Sequence, residues 1–198
     1  MGRDSPQRKP SLRGQLLKCL LFCVLAVIIS LILQPGPAFQ LWQSGESIAT
    51  QAGFVAMAAL IYFAVASIAL RLSFIVKYIK LPSWLEAVDL SGWNPLLIGL
   101  AAGIGEELLF RAALLPLLGL WLSSALFAVA HLRTAQLAAR PLQQFGYIVN
   151  TFLAGIALGL VFVHIGLLAA IGVHVIIDVV GLWAVQQLQY RRRAATAT

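Results

Sequence analysis

Acids are scarce in this chain: seven Asp and Glu among 198 residues, against fourteen Lys and Arg. Charged residues of both signs make up 11% of the sequence, where a water-soluble domain carries about 25%. That shortage excludes an ordinary soluble globular class. Cysteine is nearly missing as well. Cys19 and Cys23, four apart in the first apolar run, are the only two. They form neither a CxxC redox motif nor a zinc-type pair, so a disulfide framework is excluded. Both read as small lipid- or core-facing residues. The chain also lacks a Lys/Arg stripe with interleaved aromatics, and its net charge of +7 therefore does not read as nucleic-acid binding. The basic residues gather at the chain ends and in a few loops, as positive-inside topology requires. No internal repeat or low-complexity tract is present.

Hydrophobic residues fill the space left, at 61% of the sequence with a mean hydropathy of +0.91. The pattern predicts an all-α polytopic membrane bundle of about six transmembrane helices plus a short interfacial helix. Residues 1–15 form a polar basic tail, 16–190 a single transmembrane domain with its chemical core at 95–186, and 191–198 a basic C-terminal tail. The first apolar run, Leu16 to Leu33, is just long enough to span. A basic region before an apolar one also suits a signal peptide, but Gln34-Pro35-Gly36-Pro37 follows instead of a small-x-small site, which favours a retained anchor. A myristoylation signal fails at Pro6.

The second span runs from about Ile48 to Leu70. Ser83-Trp84-Leu85-Glu86 is a capping box opening an interfacial helix to about Leu90, with Trp84 and Trp93 at headgroup level. Pro95 opens a third apolar segment to about Leu118. A shorter one, Gly119 to Leu132, is barely long enough to cross and ends at His131. Arg133 and Arg140 mark a polar loop closed by Pro141. From Tyr147 to Gln189 the chain holds two spans, divided at His164-Ile165-Gly166. All basic loops and both termini fall on one side, which the positive-inside rule makes cytoplasmic.

Three of these apolar segments carry ionisable groups. An ionised side chain near the bilayer centre costs roughly 2.5–3.5 kcal/mol on insertion scales, so such groups mark function. On a helix, residues four apart share a face. Glu107 can therefore pair with Arg111, while Glu106 points about 100° away and stays available as a base. Phe127 and His131 share a face on the short segment, and His174 and Asp178 share one on the last. His174 and Asp178 are suited to binding a metal, polarising a carbonyl or stabilising a helix interface. His164, at a turn on the opposite side, reads as structural, and Asn150 as an interhelical hydrogen-bonding residue.

Glu106-Glu107-x-x-x-Arg111, Phe127-x-x-x-His131 and His174-x-x-x-Asp178, in that order, resemble the three motifs of the CPBP family of intramembrane proteases. That family includes CAAX prenyl proteases of the Ras-converting-enzyme type and bacteriocin-processing or immunity proteins. The similarity covers about residues 95–186, includes the Leu-Phe-Ala-x-Ala-His context, and leaves the first 90 residues unmatched. It implies that Glu106 and His131 position and activate a water for attack on a peptide carbonyl. His174 and Asp178, the latter in a position where the family takes Asn or Asp, would then stabilise the oxyanion. Glu107, Arg111 and Phe127 would serve structural or substrate-orienting roles. It further implies a membrane-associated substrate of the CAAX type, with or without a prenyl group, no cofactor, and a bacterial inner or plasma membrane location.

Other readings stay open on residues alone. Glu, two His and Asp are acceptable zinc ligands, although no HExxH is present. A non-catalytic immunity-like scaffold and a small transporter with a proton relay through Glu106 and the histidines are the alternatives in other classes.

Overall fold

A computed structural model describes residues 12–33, 45–72, 88–132 and 141–196, with side chains to residue 191. The expected capping box at Ser83–Glu86 and most of the interfacial helix lie outside the described residues, and 88–90 are not helical. The described chain is all helical apart from its connecting turns, with one isolated bridge between Gly45 and Gly166 and no strand.

Helix α1 (Leu12–Leu33) is a continuous helix of 22 residues, about 33 Å at 1.5 Å per residue, and is apolar throughout after Lys18 except for Ser30 and the two cysteines. Helix α2 (Ile48–Arg71) starts on Ser47, whose hydroxyl accepts from the Thr50 amide at 3.1 Å. It ends on Arg71, a cation placed where the helix dipole is negative. Both helices present most of their Leu, Ile, Val and Phe side chains outward. In water that surface would be an aggregation hazard; it is what a helix facing lipid requires.

Helix α3 (Asn94–Glu107) has Pro95 in its first turn and runs directly into a π-helical segment, Leu108–Leu114, and then α4 (Leu115–Ala130). Gly119 breaks α4 with φ +74° and ψ 172°, a conformation that L side chains rarely adopt. The chain reverses there. Phe110 and Phe127 meet edge-to-face with ring centroids 5.3 Å apart, whereas seventeen residues of straight helix would separate them by about 25 Å. The Ser123 hydroxyl donates to the Phe110 carbonyl at 2.5 Å, closing the hairpin.

Helices α5 (Pro141–His164) and α6 (Leu167–Thr196) follow, separated at Ile165-Gly166 as the sequence predicts. Pro141 opens α5 instead of closing the preceding loop, and the helix starts six residues before the expected Tyr147. Its fixed φ and missing amide suit a first helical position.

Among the described residues five helices are long and apolar enough to cross a membrane: Leu12–Leu33, Ile48–Arg71, Asn94–Ala130, Pro141–His164 and Leu167–Arg191. The sequence predicts six. The difference lies in Asn94–Ala130, whose returning limb after Gly119 is only about 16 Å long, short of the ~30 Å hydrocarbon core. The chain is an integral membrane helical bundle.

Helix α3 and the π segment occupy its centre, with α1 on one side, α6 and α4 on others, and α5 packed against α4 and α6. Close approach is built in with glycine. A Cβ on Gly103 would come within 2.7 Å of Val175 Cγ2 on α6, and one on Gly105 within 2.9 Å of the Cys19 Cα on α1. Small residues at such contacts let membrane helices touch backbone to backbone. The turn between α5 and α6 is held by buried Gln51, which donates to the Glu46 carbonyl at 2.8 Å and accepts from the Ala169 amide at 3.0 Å. Cys19 and Cys23 are free thiols, partly buried.

Candidate active site

The last turn of α3 delivers two neighbouring acids to different surroundings. Glu107 is fully buried. Its Oε1 accepts from His174 Nδ1 at 2.7 Å and lies 3.1 Å from Arg111 Nη1, the expected i,i+4 pair. The other arm of Arg111 donates from Nη2 to the Gly155 carbonyl at 3.1 Å, and its guanidinium lies 4.4 Å from the centre of the Phe127 ring. The Gly155 carbonyl can be reached because a Cβ at that position would press on Ser124 and Phe127 at 3.1 and 3.3 Å. A charge with no exit to water is thus neutralised from three directions, the condition under which a buried ion pair is tolerated.

Glu106 faces elsewhere. One oxygen, Oε1, is 2.5 Å from the Lys18 ammonium of α1. The other, Oε2, is buried and receives no hydrogen bond from the protein. It lies 3.5 Å from His131 Nε2 and 3.9 Å from His174 Nε2. These separations are too long for direct hydrogen bonds and suit a bridging water.

The tautomers follow from the second ring nitrogens. His131 Nδ1 is 2.8 Å from the Phe127 carbonyl. A carbonyl can only accept, so Nδ1 holds the proton and, in the neutral ring, Nε2 offers a lone pair. His174 Nδ1 likewise donates to the Glu107 carboxylate. Phe127 ties the two imidazoles together, with its ring 4.6 Å from that of His131 and 6.0 Å from that of His174. Asp178 Oδ2 is 3.8 Å from His174 Nε2, and its side chain is 31% exposed. It stands at the open edge of the cluster.

All seven residues singled out by sequence therefore meet: Glu106, Glu107, Arg111, Phe127, His131, His174 and Asp178. His164 is exposed at the α5–α6 turn, and Asn150 is exposed on α5, so neither joins them. Sequence reasoning missed Lys18, Ser123 and the Gly155 carbonyl. Lys18 did carry a signal, as a lone cation inside an apolar run. The other two had none, because a backbone carbonyl and a serine become functional only through tertiary position.

A zinc ion needs donors converging at about 2.0–2.2 Å. Among the described residues no group of three or more His, Cys, Asp or Glu is arranged to hold a metal, and the Lys18 ammonium sits on the carboxylate such an ion would use.

Residues 89–180 match the family model described as type II CAAX prenyl endopeptidase Rce1-like. No curated protein and no solved structure matches the chain. The matched segment begins before α3 and ends on α6 just beyond Asp178; it contains every site residue named above except Lys18.

Proposed function

From the premise that residues 89–180 belong to the Rce1-like family, we propose that the protein is an intramembrane endopeptidase acting on a membrane-associated peptide. A water between Glu106 Oε2 and His131 Nε2 donates one hydrogen to each and turns a lone pair outward. Glu106 takes the proton as the water oxygen attacks the peptide carbonyl. The tetrahedral oxyanion is stabilised by His174 Nε2–H and by Asp178 in its protonated form. For His174 to donate from Nε2 while Nδ1 donates to Glu107, it acts as the imidazolium. Glu106 then passes its proton to the departing amine, and the carbon–nitrogen bond breaks. Arg111, Glu107 and Phe127 hold the imidazoles in place.

The observation that carries this reading is the buried, undonated Glu106 Oε2 facing two imidazole nitrogens whose partner nitrogens are already fixed. The finer topology belongs to the same proposal: six apolar segments, the fourth entering only partway, with an interfacial helix and both termini on the cytoplasmic side. It places His131 within reach of a substrate arriving from that side. A CAAX-type prenylated substrate fits the family's description.

The test is cleavage by purified protein in lipid nanodiscs of a prenylated CAAX peptide and of a non-prenylated peptide library, with and without chelator. Wild type should cut and Glu106→Gln should not, although it folds. Equal cleavage by both would end the reading. A scaffold would show no cleavage in either, and a transporter would show ion flux in vesicles instead.

A further inference from the structure

We propose that Lys18 is a positioning residue for the base. By tying down Glu106 Oε1, it fixes Oε2 toward the two imidazoles. The proposal rests on the water-activation reading above and concerns a residue outside the segment matched to the family.

Lys18 stands where a cation is costly. Its neighbours Leu16, Leu17, Leu20 and Leu21 are half or more exposed, on a helix that otherwise faces lipid. A lysine near a helix end normally extends its stem outward to the headgroups. Here the stem turns inward past the Phe22 ring, with the ammonium 5.3 Å from the ring centre, and ends on Glu106. The backbone contact of Cys19 with Gly105 brings α1 close enough for that reach. Among the described residues no other Lys or Arg forms an ion pair with Glu106; Arg111 is committed to Glu107 and the Gly155 carbonyl.

The consequence is geometric. A carboxylate with both oxygens unheld would rotate about its last torsion, a broad and weakly restrained one. With Oε1 held, Oε2 has one orientation. Lys18 stays 35% exposed, so it reaches Glu106 without sealing the site from the bilayer side.

A purely structural role, docking α1 on α3, would affect folding and not turnover per folded molecule. The experiment therefore compares wild type, Lys18→Met, Lys18→Arg and Glu106→Gln in nanodiscs by three readouts: melting, kcat and KM on the cleaved peptide, and the infrared carboxylate band that Glu106→Gln lacks. Lys18→Met should melt somewhat below wild type, because it leaves the buried Glu106 carboxylate without its cation, so turnover is taken per folded molecule. Its kcat should fall on the order of 10- to 100-fold, the scale of a misplaced catalytic group, with KM little changed. Lys18→Arg should restore most of the rate. The infrared band should shift in Lys18→Met and return in Lys18→Arg.

Wild-type kcat in Lys18→Met, or a loss that follows only the fraction unfolded, overturns the proposal. Should Lys18→Met not fold, Lys18→Gln replaces it under the same criteria. If wild type cleaves nothing, the proteolytic reading fails, and the infrared comparison alone decides whether Lys18 positions Glu106; an unmoved band refutes it.

Discussion

Glu106 and Glu107 are covalent neighbours in opposite situations. Glu107 has no exposed surface and meets His174 and Arg111 on one oxygen. Its partners are themselves anchored, Arg111 to the Gly155 carbonyl and the Phe127 ring. Glu106 is held on one oxygen by a flexible lysine, and its other oxygen points at two rings just beyond hydrogen-bond reach. One acid has become framework, and the other keeps a lone pair for a small molecule to use. The division teaches that burial alone does not mark a reactive group. What matters is where the unheld oxygen points: Oε2 of Glu107 also receives no hydrogen bond, but only Oε2 of Glu106 faces the Nε2 atoms of both imidazoles.

The strongest way to break this comparison is to exchange the two carboxyls for amides. Glu106→Gln should lower kcat by roughly 10²–10⁴-fold, the span of general acid–base effects, with an unchanged melting temperature by differential scanning fluorimetry. Glu107→Gln should do the reverse in character, lowering the melting temperature first. If both lose activity equally with equal stability, the two acids are not distinct. Next comes Arg111→Met, which strands Glu107. Removing one member of a buried pair costs about 3–5 kcal/mol, measurable by unfolding in mixed detergent micelles.

A smaller effect is expected at the α4–α5 contact. Gly155→Leu must push Ser124 and Phe127 away from the positions they hold at 3.1 and 3.3 Å, and overpacking of this kind costs about 1–3 kcal/mol. Because Phe127 carries both imidazoles, activity should fall further than stability in the same assays. Smaller still is Asp178→Asn. An amide can donate to an oxyanion without titrating, so the rate should stay within about tenfold and resist chelator. Abolished cleavage together with chelator sensitivity would favour a metal-ligating carboxylate.

The smallest effect lies outside the bundle. Asp89 accepts from the Ser91 amide at 3.0 Å and from the Asn94 side chain at 3.1 Å just before α3. The Ser91 amide, above all, holds its carboxyl below the ordinary value. The sign follows: this contribution is present above the unfolded pKa and disappears as the pH falls below about 4. Melting temperature against pH should therefore show a slightly shallower acid decline in Asp89→Asn than in wild type.

Much of the centre was readable from sequence because lipid leaves few disguises. Glu106, Glu107, His131, His174 and Asp178 stood out against an apolar background, and i,i+4 spacing sorted Glu107 with Arg111 before any coordinates. The break at His164–Gly166 was visible from its glycine. Other features were not visible. The π segment at Leu108–Leu114 has no compositional mark, since its leucines and alanines would suit an ordinary helix. The segment boundary expected at Leu118–Gly119 coincides with the reversal, but the limb after it is too short to count as a crossing helix. Lys18 has no acid three or four residues away on its own helix to pair with. Only packing against α3 reveals that its stem turns inward.

The widened coil between α3 and α4 has a mechanical meaning. A turn that closes on the fifth residue instead of the fourth resets the angular phase of everything beyond it, much as a skipped tooth re-indexes two meshed gears. The stripe bearing the acids and the stripe bearing Phe110 can then be aimed at separate neighbours, which one uniform spiral would lock in a fixed relation. Shortening the coil by a single residue would leave a helix of nearly the same length whose two halves no longer address the same partners.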